Sequence, residues 1–335
     1  MSDGEGRRTG EESAWDRFLR TSRPDIGYKQ SSWWADLLAT RGWGYFEAVV
    51  GESEDAILGG ARVLVECFAP GKCYYYIPDG PVLPADEAEA EEVFEATMGF
   101  IDEQRAADPW VVSHLRIEPR WQVRPGFVSG FRESSGWNEP RNTLCIDLTL
   151  SETEILEQMK TKGRYNVRLA RRKGVRVVED LSAKGLSDFL HLYHETFDRH
   201  GLGGHSNEYM ENLYERLVPF DRGSIFFAEY EGQRLAAALV IYHGDTATYK
   251  YGGSTMVHRN VMAAYLLHYD AMLKAKALGH TWYDFYGIAP KDEPNDSWAN
   301  FSVFKRKFGG TEIGFVPSLV RVYDEEAFQE ARKKE

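Results

Sequence analysis

The sequence predicts an α+β protein of two domains packed against each other. Its 335 residues are enough for about two domains. Hydrophobic residues make up 43% and charged residues 27%, which are ordinary values for a globular protein. Short apolar segments of strand length alternate with longer amphipathic segments of helix length, and no low-complexity linker separates the two halves.

The composition also excludes several classes of protein. No run approaches the roughly 18 apolar residues that a membrane-spanning helix needs. The first 14 residues, MSDGEGRRTGEESA, lack the apolar core of a signal peptide and are predicted to be a disordered tail. Three cysteines make a disulfide framework unexpected and favour a reducing, cytoplasmic location. A net charge of -12 argues against a general nucleic-acid coat protein.

In the first half, ordered structure is predicted to begin at Trp15. The turn-rich sequence GESED separates two strands, PDGP ends a third, and Phe94, Met98 and Ile101 form the apolar stripe of a long helix. The predicted helices are 31–40 and 86–107, and the predicted strands are 45–50, 61–66, 73–77, 111–117 and 142–148.

In the second half, Ser151 and Glu154 predict a capping box at the start of a helix that continues to Lys173, where Gly174 ends it. The turns at 231–232 and 244–245 predict a three-stranded meander. The other predicted helices are 187–197, 207–217, 261–278 and 297–308. The predicted strands are 175–179, 224–230, 234–242, 246–251 and 282–286, followed by an extended segment at 313–323.

This order of elements is similar to the GNAT fold of acetyl-CoA-dependent N-acetyltransferases. Those enzymes hold the pyrophosphate of the donor on backbone N–H groups of R-x-x-G-x-[GA] at a helix start. Here the corresponding residues begin at Arg259, and Met262 replaces the glycine. A bulky side chain there obstructs close approach of the pyrophosphate, which disfavours a CoA donor.

Motifs of several other enzyme classes are missing. The sequence contains no P-loop, no G-x-S-x-G motif and no complete dinucleotide-binding glycine pattern. The spacing of His191, His194 and His200 does not match H-E-x-x-H, so no metal site is predicted. An enzyme of this sequence therefore needs no cofactor and requires a substrate that is already activated.

One local charge asymmetry stands out. Residues 160–176 read KTKGRYNVRLARRKGVR and contain eight basic and no acidic residues. Helical spacing allows several of them to face one phosphate-rich surface, such as an RNA end, a polyphosphate or a nucleotide-linked substrate. The candidate phosphate-binding residues are Lys160, Lys162, Arg164, Arg168, Arg171 and Arg172.

Several motifs, each weak alone, occur in a specific order. They are YIPDGPV at 76–82, MKTKGRYNVR at 159–168 with GV at 174–175, YKYGGS at 249–254, AAYLL at 263–267, YDFYGI at 283–288 and FKRKFGG at 304–310. On these motifs the chain resembles the FemABX family of non-ribosomal peptidyltransferases, from about Tyr28 to Tyr323.

The resemblance implies two tandem GNAT-like domains, with a final strand that returns to the first. The expected division is a tail at 1–14, a first domain at 15–148 with 317–335, and a second domain at 149–316. No heptad stretch predicts the coiled-coil arm of the larger members. The compact members act on a soluble UDP-linked muropeptide, and this chain is closer to them.

The resemblance also implies roles for individual residues. Lys305 stabilises charge during acyl transfer, and Phe304 packs near the acceptor end of the donor tRNA. Tyr209 and Tyr251 line the acceptor pocket. Asp79, between Pro78 and Gly80, is our candidate acid–base residue, with a turn-forming role as its alternative. The further candidate substrate-binding residues are His205, Tyr76 and Arg259.

The implied reaction transfers an amino acid from aminoacyl-tRNA to a peptidoglycan precursor, and an aminoacyl ester needs no further activation. The compact members carry an arginine where this chain has His205, so a lipid-linked precursor or a free peptide stays open beside the UDP-linked acceptor. The functional alternatives are an acyl-CoA-dependent N-acyltransferase, a tRNA-dependent ligase of peptide natural products, and an inactive RNA- or precursor-binding protein. The sequence does not fix the oligomeric state, and a monomer is favoured.

Overall fold

Two mixed β-sheets, of six and seven strands, carry the fold. The computed structural model describes residues 12–134, 136, 139–201, 203–291 and 298–334. The first sheet and its helices are formed by α1 (Ala14–Ser22), α2 (Ser32–Ala39), β1 (Gly44–Gly51), β2 (Ile57–Ala69), β3 (Lys72–Pro78), α3 (Glu87–Ala107), β4 (Val111–Glu118), β5 (Arg132–Glu133), β13 (Leu319–Val322) and α10 (Glu325–Arg332).

The second sheet and its helices follow in the chain from residue 142. They are β6 (Asn142–Asp147), α4 (Glu152–Glu157), α5 (Thr161–Lys173), β7 (Arg176–Glu179), α6 (Ala183–His200), α7 (Asn207–Leu217), β8 (Gly223–Tyr230), β9 (Gln233–His243), β10 (Thr246–Ser254), α8 (Ala263–Ala277), β11 (Trp282–Gly287), α9 (Ala299–Lys305) and β12 (Thr311–Gly314).

Both sheets repeat one plan. The first has the order β1-β2-β3-β4-β13-β5, and the second has the order β12-β6-β11-β10-β9-β8-β7. In each, a run of antiparallel strands, β1 to β3 in the first sheet and β7 to β10 in the second, leads into one parallel pair, β3 with β4 and β10 with β11. A parallel pair requires a crossover connection, which α3 and α8 supply. The prediction of two tandem GNAT-like domains is confirmed.

The two halves share an aromatic core. Trp33 and Trp34 of α2 pack against Tyr28, with ring centroids 5.1 to 5.9 Å apart within this trio. The same buried cluster includes Phe189 of α6 and Phe227 of β8. Burying large aromatic side chains from both halves together stabilises their association, and the predicted packing of the two halves is confirmed.

No arm projects from the second sheet in the part of the chain that the structure describes. The longest helix there, α6, spans 18 residues and lies against β9 and β10. Within the same described ranges, no helix combines the length and apolar composition needed to cross a bilayer.

The predicted division of the chain needs correction at two places. Ser13 caps α1 by accepting a hydrogen bond from the Asp16 N–H at 3.1 Å, and Ala14 is the first helical residue. The tail prediction is therefore wrong at these positions, and residues 1–11 lie outside the described residues. Strand β6, which the predicted boundary at 148 assigns to the first domain, pairs with β11 and β12 of the second sheet. We therefore propose a boundary between β5 and β6.

Some predicted elements are divided differently in the structure. The capping box of Ser151 and Glu154 is present, but the helix that it starts ends at Glu157. The break before α5 coincides with a tertiary contact, in which the Lys160 N–H donates to the carbonyl of Lys307 at 3.0 Å. The segment predicted as extended at 313–323 contributes β12 to one sheet and β13 to the other. The start of the helix predicted at 297–308 falls at Ser297, which lies outside the described residues.

Candidate active site

The parallel strands β10 and β11 separate after three paired positions. Thr246, Ala247 and Thr248 pair with Trp282, Tyr283 and Asp284, and no pairing continues beyond them. Since both strands run on, they diverge and open a cavity of about 460 Å³ at their carboxyl ends. The side chains that line it include Tyr193, His205, Tyr249, Lys250, Tyr251, Tyr286, Trp298, Phe301 and Lys305.

A β-bulge in β10 shapes one wall of this cavity. Tyr249 pairs with Val240 and Tyr251 with Leu239, so Lys250 has no partner on β9. In a regular strand, successive side chains alternate between the two faces of the sheet. The extra residue changes the direction of its neighbours, and Tyr249, Lys250 and Tyr251 all line the cavity.

Lys305 lies at the end of α9, on the opposite wall. Its side chain is buried, and its Nζ donates to the carbonyl of Gly287 at 2.6 Å. The Nζ also lies 5.3 Å from the ring centroid of Trp298. Burial lowers the pKa of Lys305 to about 7, against the opposing effect of Asp284. The site thus holds an amine that exchanges its proton near neutral pH.

Lys250 is the second amine of the cavity. Its Nζ donates to the Tyr286 hydroxyl at 2.8 Å, and this hydroxyl donates to Glu139. Lys29 forms an ion pair with Glu139 and donates to the same hydroxyl at 3.2 Å. Burial lowers the pKa of Lys250 to about 8, although Glu139 opposes the shift. We call Lys29, Glu139, Lys250 and Tyr286 the lysine–glutamate cluster.

Three of the predicted acceptor-site residues lie together at one end of the cavity. The Tyr209 and Tyr251 hydroxyls are 3.2 Å apart, and the His205 ring stacks on Tyr209 with centroids 4.2 Å apart. His205 and Tyr251 line the cavity, and Tyr209 lies behind them. Burial lowers the pKa of His205 to about 4, so this ring is neutral at physiological pH.

Asp79 lines a second, much smaller cavity of about 30 Å³ at the junction of the two sheets, and Tyr76 contacts its wall through Glu118. Asp79 is 3.8 Å from the Lys29 Nζ, and Tyr76 donates to Glu118 at 2.8 Å. Tyr286 and Gly287 line both cavities. Asp79 is therefore linked to the larger cavity through Lys29 and Tyr286.

The remaining predicted substrate-binding residues lie outside the cavity. The Phe304 ring packs against Tyr265 and Phe308, at centroid distances of 5.1 and 5.3 Å, in the core of the second sheet. Arg259 is exposed on a 3-10 turn before α8. Met262, which follows that turn, adopts a left-handed backbone conformation with φ of 60°.

The basic stretch forms α5, and most of its cationic side chains are exposed. Two of them have local partners. Arg164 donates to the carbonyl of Glu157 at 2.8 Å, and Arg171 forms an ion pair with Asp270 of α8 at 3.0 Å. Since the stretch itself contains no acidic residue, the carboxylate that pairs with Arg171 comes from a different helix. We call the exposed residues Lys160, Lys162, Arg168 and Arg172 the basic surface.

Sequence reasoning missed the lysine–glutamate cluster. Its members are far apart in the chain and come together only at the junction of the sheets. One signal was present, since Lys250 interrupts an otherwise apolar and aromatic strand in YKYGG. The described residues contain no group of three or more histidine, cysteine or carboxylate side chains arranged to bind a metal.

Two sheets of this plan, with buried amines where the parallel strands diverge, define a tandem acyltransferase of GNAT-like fold. The model of the FemAB family matches residues 126–228 and 220–317, more than half of the chain. The chain belongs to the FemAB family, and the resemblance predicted from its motifs is confirmed.

Individual relatives agree with this assignment. The chain is 24% identical to a lipid II:glycine glycyltransferase of Staphylococcus saprophyticus, over 89% of this chain and 88% of that protein. It is also 24% identical to the UDP-N-acetylmuramoylpentapeptide-lysine N(6)-alanyltransferase of Weissella viridescens, over 95% of this chain and 96% of that protein. The crystal structure of FemX superposes with a TM-score of 0.84 at 20% identity, covering 94% of this chain and 97% of that one. The predicted enzyme class, an aminoacyltransferase, is confirmed.

Proposed function

We propose that this enzyme transfers an aminoacyl group from an aminoacyl-tRNA to an amine on the stem peptide of a peptidoglycan precursor. The single observation that carries the proposal is the connection between the cavity and the basic surface. Lys305 ends α9, and the next turn contacts α5, where the Lys160 N–H meets the Lys307 carbonyl at 3.0 Å. An RNA backbone on α5 therefore lies beside the segment that brings Lys305 to the cavity wall.

Lys305 supplies the charge that acyl transfer needs. When the acceptor amine attacks the ester carbonyl, negative charge develops on the carbonyl oxygen. A fixed donor in a site with little water stabilises this charge more than water does. The Lys305 ammonium, held by Gly287 and lining the cavity, is placed for that role.

The acceptor is a peptidoglycan precursor because the named relatives act on such molecules, lipid II in one case and a UDP-linked muropeptide in the other. His205 stands where the compact members carry a phosphate-binding arginine, which leaves both carriers as candidates. Met262, with its left-handed backbone at the start of α8, disfavours an acyl-CoA donor. An aminoacyl-tRNA donor places the reaction in the cytoplasm.

The direct test is a transfer assay with a pool of radiolabelled aminoacyl-tRNAs and, separately, a UDP-linked muropeptide or a lipid-linked precursor. We expect label on one of the two precursors, and the labelled amino acid identifies the natural donor. A reaction in which the tRNA is digested beforehand controls for free amino acids. If a verified charged pool labels neither precursor, the proposal is wrong and acyl-CoA donors with free-peptide acceptors become the next substrates to test.

Reversing charge on the basic surface is expected to weaken donor binding selectively. The double variant Lys162→Glu/Arg168→Glu should raise the KM for aminoacyl-tRNA at least tenfold at low salt, with kcat little changed. Each lost phosphate contact lowers the slope of log affinity against log salt by about 1, so the double variant should lower it by about 2. Initial rates measured across a salt series give both quantities.

The matched control reverses two exposed lysines that lie outside α5, in Lys184→Glu/Lys333→Glu. It makes the same change in net charge, so a general electrostatic effect alters both variants alike. An equal rise in KM for both double variants would exclude α5 as the donor surface.

A further inference from the structure

The proposed reaction needs a group that removes a proton from the acceptor. A free amino group on a peptide is mostly protonated near pH 7, and only its neutral form attacks a carbonyl. Among the side chains described around the cavity, the two that carry amines are Lys250 and Lys305. They have different surroundings, and this difference separates their roles.

Lys250 is fixed in the cavity wall from two sides. The bulge in β10 turns its side chain toward the cavity. Its Nζ lies 3.9 Å from the centroid of the Tyr286 ring and 2.8 Å from the Tyr286 hydroxyl. The same hydroxyl donates to Glu139, which is ion-paired to Lys29. The amine is therefore held by a network of partly buried side chains that ends at the buried Lys29.

We infer that Lys250 is the general base of the reaction, which accepts the proton of the acceptor ammonium, and that Tyr286 positions its Nζ. This inference rests on the proposed function and adds the group that the proposed mechanism lacks. Lys305 is the less suitable base, since its Nζ is committed to the Gly287 carbonyl and its charge is needed at the developing oxyanion.

The charges around Lys250 suit this role. Besides the Tyr286 hydroxyl, six charged or titratable groups act on its amine from the other elements: Lys29, Asp79, Glu139, His205, Asp284 and Lys305. Burial lowers the pKa of Lys250 to about 8, so a substantial fraction is neutral at physiological pH, whereas an exposed lysine is almost fully charged. The other candidates are weaker: His205 has a pKa of about 4, and Asp79 does not line the cavity.

The protons of the proposed reaction balance without a further reactant. The neutral Lys250 amine takes one proton from the acceptor ammonium. The acceptor nitrogen then forms a C–N bond to the carbonyl carbon, the ester C–O bond breaks, and the second nitrogen proton leaves with the departing oxygen. Lys250 releases its proton to solvent at the cavity mouth, so that each turnover yields one amide, one alcohol and one proton.

The test compares Lys250→Gln and Lys250→Arg in the transfer assay. Arginine keeps the positive charge but does not lose its proton in this pH range. Both variants are therefore expected to lower kcat about 100-fold or more at pH 7.5, the range for loss of a general base. At high pH, hydroxide and the acceptor's own ionisation replace the base. The loss of kcat in both variants should therefore shrink steadily as pH approaches 10. Lys184→Gln, an exposed lysine on α6, is the control and should match the unmodified enzyme.

Tyr286→Phe separates positioning from catalysis, since it keeps the ring and removes the hydroxyl that holds the Nζ. We expect a loss of about tenfold in kcat with the acid limb of the pH profile shifted, and a native circular dichroism spectrum. If Lys250→Arg retains activity, the residue acts only as a cation and the inference is wrong. It is equally wrong if the deficit of Lys250→Gln does not change with pH. Failure of the unmodified enzyme to transfer would instead overturn the proposed function.

Discussion

Replacing Lys305 by methionine is expected to reduce the single-turnover rate of transfer by about 100- to 1,000-fold, the effect of removing one donor to an oxyanion. The protein should remain folded. Methionine fills a similar volume, and the lost hydrogen bond is the one that Nζ donates to the Gly287 carbonyl. Rapid mixing of enzyme with limiting donor and saturating acceptor measures the rate, and Lys184→Met is the exposed control.

The same variant should be more stable than the unmodified enzyme near neutral pH. The pKa of Lys305 falls from 10.5 to about 7 on folding. The unfolded chain therefore binds the proton more tightly, and the burial of Lys305 destabilises the fold fully below pH 7 and no longer above pH 10.5. We expect Lys305→Met to raise the melting temperature most below pH 7, and this advantage to vanish near pH 11.

The two lysines together predict the pH profile of kcat/KM. Lys305 acts while protonated and loses its effect as pH rises through about 7, and Lys250 acts while neutral and gains its effect as pH rises through about 8. The product of the protonated fraction of Lys305 and the neutral fraction of Lys250 gives a bell-shaped pH profile with its maximum between these two values. Lys305→Met should abolish the alkaline limb and keep the acid one. An unchanged transfer rate in this variant would remove Lys305 from the mechanism.

Replacing Glu139 by alanine is expected to destabilise the protein by about 3 to 5 kcal/mol, the usual effect of removing one partner from a buried ion pair. Glu139 pairs with Lys29, whose side chain is only 2% exposed, and accepts a hydrogen bond from Tyr286. Its loss leaves Asp79 as the nearest carboxylate to Lys29, at 3.8 Å. Urea unfolding followed by tryptophan fluorescence measures the change.

Two comparisons identify the cause of this loss. Glu325→Ala removes an exposed ion pair with Arg132, whose atoms are 3.2 Å apart, and should cost less than about 1 kcal/mol. Lys29→Met/Glu139→Leu removes both buried charges and should recover much of the stability lost in Glu139→Ala. If Glu139→Ala unfolds at the same urea concentration as Glu325→Ala, the lysine–glutamate cluster does not stabilise the junction.

Much of the fold was readable from local patterns. The capping box at Ser151 and the glycine after Lys173 are local signals, and both helix ends occur where they predict them. The break between α4 and α5 at Lys160 could not be predicted from local sequence, because it coincides with a hydrogen bond to the carbonyl of Lys307, which is distant in the chain. The sequence predicts β6 as a strand, but the sheet to which it belongs depends on its pairing with β11 and β12, which follow it in the chain.

The residues of the candidate site also fall into two groups, those that sequence motifs predict and those that depend on tertiary packing. The FKRKFGG motif predicts Lys305 as a site residue, and the structure places it in the cavity wall. Phe304, from the same motif, has its ring in the core instead. Lys250 lies inside the YKYGGS motif, but no role is predicted for it, and Glu139 belongs to none of the motifs. Their contact through Tyr286 depends on the packing of one sheet against the other. Periodicity predicts which face of a strand is buried, but it does not predict which side chains from distant parts of the chain pack against that face.

The position of β13 has a consequence for how the protein is made. This strand lies between β4 and β5 in the first sheet, although it follows every strand of the second sheet in the chain. As the nascent chain leaves the ribosome, the second sheet has all its strands while the first still has an open edge at β4. The amino-terminal sheet therefore cannot be completed before every strand of the second sheet has been synthesised, so the usual order, in which the amino-terminal domain finishes folding first, does not apply. A nascent chain that stalls before residue 319 lacks the partner of β4 and keeps an unpaired strand edge, which is the kind of surface on which aggregates form.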